Sequence, residues 1–168
     1  MWNLKNKTIV ISGATNGIGK AAAIELSKEN PQLLFTYRNQ NLANELLAEI
    51  KALSPDTQVH SVYCDFSKQD SIKKCADEIN DLCGEIDVLI NNAGVVNTSY
   101  HETSEGIENT FAINHLGYFL FTNLLLHKLK GENETRIVNV SSAAHSFVKK
   151  MQWEDINFKN NFGQGLRP

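Results

Sequence analysis

The chain has 168 residues, 42% of them hydrophobic and 21% charged, the composition of one soluble globular domain with a sizeable core. Its net charge of −3 gives no electrostatic case for nucleic acid or an anionic membrane surface as partner. No apolar run approaches the roughly 20 residues that a membrane-spanning helix needs.

The first seven residues, Met1 to Lys7, lack the apolar centre of a signal peptide and lead straight into a strand over 7–12. That strand meets Gly13, Gly17 and Gly19, after which Ala21-Ala22-Ala23-Ile24-Glu25-Leu26 carries a helix over 17–29 that stops before Pro31. A strand that turns through glycines into a helix N-terminus suits an anionic phosphate. The first helical N–H groups lack internal partners, and the helix dipole adds partial positive charge. Gly13 permits the tight turn, Gly17 lets backbone approach a pyrophosphate, and Gly19 lets helix pack close to strand. The loop between them presents Thr15, Asn16 and Ile18. Taken alone, the loop is also compatible with an ordinary strand-to-helix turn.

Strand and helix patterns then alternate. Strands are expected at 33–37, 59–64, 86–90 and 136–140, and helices at 42–53 and 70–83, followed by one long helix from about 104 to 130. Strands separated by helices of this length imply an α/β fold with a doubly wound parallel sheet, helices on both faces. Ligands in such sheets bind outside the carboxyl ends of the strands, so the residues just after each strand are the ones to inspect.

After the second strand stands Arg38, nineteen residues beyond Gly19, with no Asp or Glu between Pro31 and Asn44. An acid near this spacing would take the ribose hydroxyls of NAD, whereas arginine accommodates the 2′-phosphate of NADP. The plainer reading of Arg38 is a solvated loop cation. After the third strand comes Asp65-Phe66, a carboxylate placed either to accept from an adenine amine or to cap the next helix. After the fourth comes Asn91-Asn92-Ala93-Gly94, where backbone can pass close to a ribose and amides can pin strand ends, or simply turn. Cys64, Cys75 and Cys83 are an odd number without metal-ligand spacing. They read as reduced thiols of a cytoplasmic protein, and no metal is expected.

Gly13 to Gly19, Asp65, Asn91-Asn92-Ala93-Gly94, Asn114 and Asn139-Val140-Ser141-Ser142 together resemble the short-chain dehydrogenase/reductase family, in its order and across nearly the whole chain. The stretches 111–120 and 136–145, with Arg38, are similar to its retinol-dehydrogenase-like branch. The resemblance implies a Rossmann-like fold and hydride transfer between nicotinamide and a lipophilic alcohol or carbonyl. It implies NADP, with NAD less favoured, held by Gly13 to Gly19, Arg38, Asp65, Phe66, Asn92, Ala93 and Gly94. Ser142 would hold the substrate oxygen and Asn114 would organise a proton-relay water.

The family also uses a Tyr-x-x-x-Lys motif after the serine. Here Tyr37, Tyr63, Tyr100 and Tyr118 all precede Ser142, and neither Lys149 nor Lys150 has a tyrosine four residues before it. By this comparison residues 1–168 form a single domain, the N-terminal part of a longer fold with its C-terminal part missing. Residues 143–168 would be a loop region leading to the absent catalytic helix. Strand five would then be an exposed edge, and a helix that pairs across a homodimer interface in many family members would be lacking. The alternative is a non-catalytic nucleotide-binding or interaction protein.

Overall fold

The structure, a computed structural model, describes residues 3–129, 134–147, 150–160 and 162. Its centre is a five-stranded parallel sheet in the order β3-β2-β1-β4-β5. The strands are β1 (Thr8–Ile11), β2 (Gln32–Tyr37), β3 (Gln58–Tyr63), β4 (Val88–Asn91) and β5 (Arg136–Asn139). The helices between them are α1 (Gly17–Ser27), α2 (Gln40–Leu53) and α3 (Gln69–Leu82), and α4 (Asn109–Phe111) and α5 (Gly117–Leu125) precede β5. Each predicted element is present, with ends that differ by a few residues, except the long one described below.

The inner strands are apolar on both sides because both sides are covered. Successive side chains alternate between faces. Ile9, Ile11, Leu33 and Phe35 pack with Ala23 of α1 and with Ala43, Leu46 and Ile50 of α2. Val10 and Leu34 pack on the other face with Ile72 and Ile79 of α3 and with Phe121 and Leu125 of α5. Helical spacing explains the stripes on α2 and α3, since residues three and four apart share a face. Asn39 starts α2 by accepting the N–H groups of Asn41 and Leu42 at 2.9 and 3.3 Å.

The expected helix over 104–130 begins later and is interrupted. Gly106 takes φ +75°, and residues 103–107 close a turn through Thr103 N–H to the Ile107 carbonyl at 2.8 Å. Helix α4 starts only at Asn109, where the buried Glu108 carboxylate accepts the N–H groups of Thr110 and Phe111. A π-turn over Ala112–Leu116 follows, closed by Gly117 N–H to the Ala112 carbonyl, and α5 then runs to Leu125. The expected end at Lys130 lies outside the described residues, as do Lys149 and residues 163–168. Among the described residues of 143–162, two 3-10 turns occur, at Ala143–Phe147 and Trp153–Asp155.

Strand order reverses between β1 and β4, so a crevice opens at the carboxyl ends of those two strands. Strand β5 lies at the edge of the sheet, all four of its residues exposed, including Ile137 and Val138. An apolar edge of this kind is open to pairing with another strand.

Candidate functional site

The crevice is a cleft of about 380 Å³. It brings together Gly13, Thr15, Asn16, Ile18, Gly19, Arg38, Phe66, Asn92, Ala93 and Gly94, all singled out in the sequence. Gly17 and Asp65 stand beside these residues without lining the cleft. Thr36, Tyr37, Cys64, Val95, Ile113 and Val140 complete it, none of them singled out from the sequence as a cofactor-binding residue. Their common signal is position: each lies at or just after a strand end, or on the turn carrying Asn114.

The glycine loop is built by close approach. Gly13 takes φ +65°, and a Cβ there would lie 2.6 Å from the Ala93 Cα. A Cβ on Gly19 would overlap the Asn92 amide nitrogen and the Gly13 carbonyl. Asn92 holds the two strand ends together by donating to the carbonyls of Ser12 and Gly13, both at 2.9 Å. Beneath it Ser12, fully buried, accepts the N–H groups of Asn92 and Ala93 at 2.9 and 3.0 Å. Ser12 was missed in the sequence, although a serine ending an apolar strand directly before the first glycine was a usable signal.

Helix α1 points its N-terminus into this cleft. Asn16 at its cap makes no side-chain cap bond, and no acid occupies the first turn. Its first N–H groups and dipole are therefore available to an anion. Ile18, 72% exposed, leaves an apolar side chain bare at the mouth. Those features fit the pyrophosphate of a dinucleotide.

At the far rim Arg38 is exposed, and its charge reaches Asp65. Burial works to raise the Asp65 pKa. Hydrogen bonds from Ser67 N–H and Oγ outweigh it, helped by the charges of Lys68 and Arg38, and the net shift is downward. Lys68 is the cap residue of α3, so Asp65 instead forms a local turn with Ser67. The cap alternative for Asp65 is not what the fold uses. A depressed carboxylate adds stability above its ordinary value of 3.8 and loses it as pH falls through the folded value. Asp65→Asn is therefore expected to lower the urea midpoint at neutral pH, with wild type and variant converging well below pH 3.8. A gap that persists in acid would show that the charge is not what matters. The Cys64 thiol lines the same wall; a hydrogen bond with Cys75, then burial, push its pKa up and keep it protonated.

The catalytic candidates are Asn114 and Ser142. The Asn114 carboxamide grips the Val95 backbone, accepting its N–H at 2.9 Å and donating to its carbonyl at 2.8 Å. One Nδ2 hydrogen and one Oδ1 lone pair are used in this grip, which fixes the orientation of the carboxamide. Ser142 is exposed, with its Oγ accepting the Ala144 N–H at 3.1 Å, and it is not among the cleft-lining residues. Tyr118 shares a groove with Asn114, Asn139 and Ser141, and burial pushes its hydroxyl up to about 12.

A family model described as short chain dehydrogenase matches residues 7–153. The chain belongs to the short-chain dehydrogenase family. Human retinol dehydrogenase 13 is 35% identical over 156 residues, which are 93% of this chain and 47% of that protein. An uncharacterised protein from Mycobacterium paratuberculosis has a solved structure that superposes with TM-score 0.82 at 30% identity, covering 98% of this chain and 56% of the other. A metagenomic short-chain oxidoreductase solved in complex with NADP superposes with TM-score 0.73 at 26% identity, covering 84% and 64%. This short-chain dehydrogenase chain thus spans about half the length of the curated relatives it matches. It has the family's α/β sheet. Among the described residues no helix is long and apolar enough to cross a membrane.

Proposed function

We propose that the chain forms the cofactor-binding half of an NADP-preferring, retinol-dehydrogenase-like oxidoreductase acting on a lipophilic alcohol or carbonyl. The observation that carries the preference is Arg38, at the end of β2 on the cleft rim, with no acid between Pro31 and Asn44 to bind a bare ribose. The cofactor, when bound, accepts or supplies the hydride. The glycine loop and the α1 N-terminus would hold the pyrophosphate, Asp65 and Phe66 the adenine, and Asn92 to Gly94 the ribose. Ser142 would orient the substrate oxygen. The three cysteines are free and buried, in keeping with a reducing compartment such as the cytoplasm.

One observation favours a second reading, a nucleotide-binding protein without turnover: none of the four tyrosines follows Ser142. A positioned acid or base is worth about 10²–10⁴-fold in rate, so residues 1–168 taken alone are expected to show little turnover. Two measurements separate the readings. Calorimetric titration of the 168-residue chain is expected to show tighter binding of NADPH than of NADH; equal or reversed affinities would remove the cofactor assignment. NADPH consumption with a panel of apolar aldehydes tests turnover, and any turnover by this chain refutes the non-catalytic reading.

A further inference from the structure

The segment after β5 returns to the loop after β4 and is fastened there. Asp155 shapes it locally, its carboxylate accepting the N–H groups of Lys159 and Asn160 at 2.9 and 3.2 Å. That turn presents the half-buried Asn157, whose Oδ1 accepts the Glu108 N–H at 3.2 Å while its Nδ2 donates to the Gly106 carbonyl at 3.3 Å. On either side, Lys159 pairs with Glu102 at 2.7 Å and Phe162 packs edge-on to Tyr100 at 5.6 Å. Glu108 is the residue that starts α4, and α4 runs directly into the π-turn carrying Asn114.

We propose that Asn157 is a positioning residue. By fixing the backbone of Glu108 and Gly106 it sets where α4 begins, and so holds the Asn114 carboxamide on the Val95 backbone at the cleft wall. The geometry favours a directed effect over general support. Both of its side-chain hydrogen bonds are to backbone at the helix start. Asn97 adds a second tie, donating to Asn109 Oδ1 at 2.9 Å, so the loop that follows Val95 is bound to the same helix start. That this wall serves a nucleotide rests on the function proposed above.

The test is residue-resolved hydrogen exchange on the full chain without nucleotide, followed by NADPH titration. Val95 N–H donates to Asn114, so its protection reports the grip directly. Asn157→Ala is expected to speed exchange at Val95, Thr110 and Phe111 by about tenfold, within the range for two lost hydrogen bonds, and to leave β1 and β2 unchanged. Asn157→Asp keeps the acceptor for Glu108 but sets a carboxylate oxygen against the Gly106 carbonyl, so it should restore protection at Val95 in part. NADPH affinity should fall several-fold in the alanine variant and recover in part in the aspartate variant. Unchanged exchange at Val95, a uniform rise across all amides, or an aspartate variant no better than alanine would each overturn the proposal. Should the alanine variant not fold, Asn157→Thr, too short to reach both groups, is read in its place. If wild type binds no NADPH, the cofactor reading fails while the exchange result still decides the role of Asn157.

Discussion

Gly13→Ala is expected to unfold the chain at a temperature on the order of 10 °C lower than wild type and to abolish measurable NADPH binding. Two costs add at this position. A left-handed φ of +65° costs an L-residue roughly 1–2 kcal/mol, and the new methyl would sit 2.6 Å from the Ala93 Cα. That neighbour is backbone, held by Ser12 and Asn92, and cannot swing aside. Overpacking of this kind costs about 1–3 kcal/mol. Gly17 is the internal control, since its φ of +54° carries the same conformational strain while a Cβ there meets nothing within 4 Å. Thermal melts should therefore rank wild type above Gly17→Ala and Gly17→Ala well above Gly13→Ala. Equal melting temperatures for the two variants would show that the β1–β4 contact tolerates a methyl and that the tight loop is not a packing requirement.

Arg38→Asp should reverse the cofactor preference. A guanidinium on a phosphate is a charge-assisted contact worth about 1.5–3 kcal/mol, which the substitution removes for NADPH. The new carboxylate adds repulsion against the 2′-phosphate and can accept from the ribose hydroxyls of NADH. The combined swing in the ratio of the two dissociation constants is about a hundredfold or more. Because Arg38 is exposed, the wild-type preference should also shrink as salt is raised. A ratio that does not move in the variant would return Arg38 to the status of a solvated loop cation.

The sheet was legible in the sequence because its strands are short apolar runs bounded by glycines, prolines and polar turns. β1 ends at Ser12-Gly13, α1 is followed by Pro31, and α2 is stopped by Ser54-Pro55-Asp56. The glycine loop was legible for the same reason, since its residues act through local backbone geometry. The start of α4 was not. Ser104 and Glu105 look like the opening of a helix, yet Gly106 and the Glu108 side chain set the start four residues later. Nothing in the local pattern announces the π-turn, which carries Asn114 to the Val95 backbone, nineteen residues earlier. Ser12 escaped notice because its role comes from which strand lies beside which. Ser142 was found by resemblance, and the fold leaves it exposed on a turn outside the cleft lining.

The hydroxyl of Ser12 joins stretches eighty residues apart in the chain. During synthesis the glycine loop emerges long before Asn92 and Ala93 exist to complete its floor. Contacts of such long range also close late in folding. A nucleotide that fills the cleft therefore recognises only the fully folded chain, and mass action converts that selectivity into stability. At a free concentration one hundred times its dissociation constant, it would add about 2.7 kcal/mol against unfolding. A melting curve recorded with and without NADPH would thus report whether the nucleotide binds the folded chain in preference to the unfolded one.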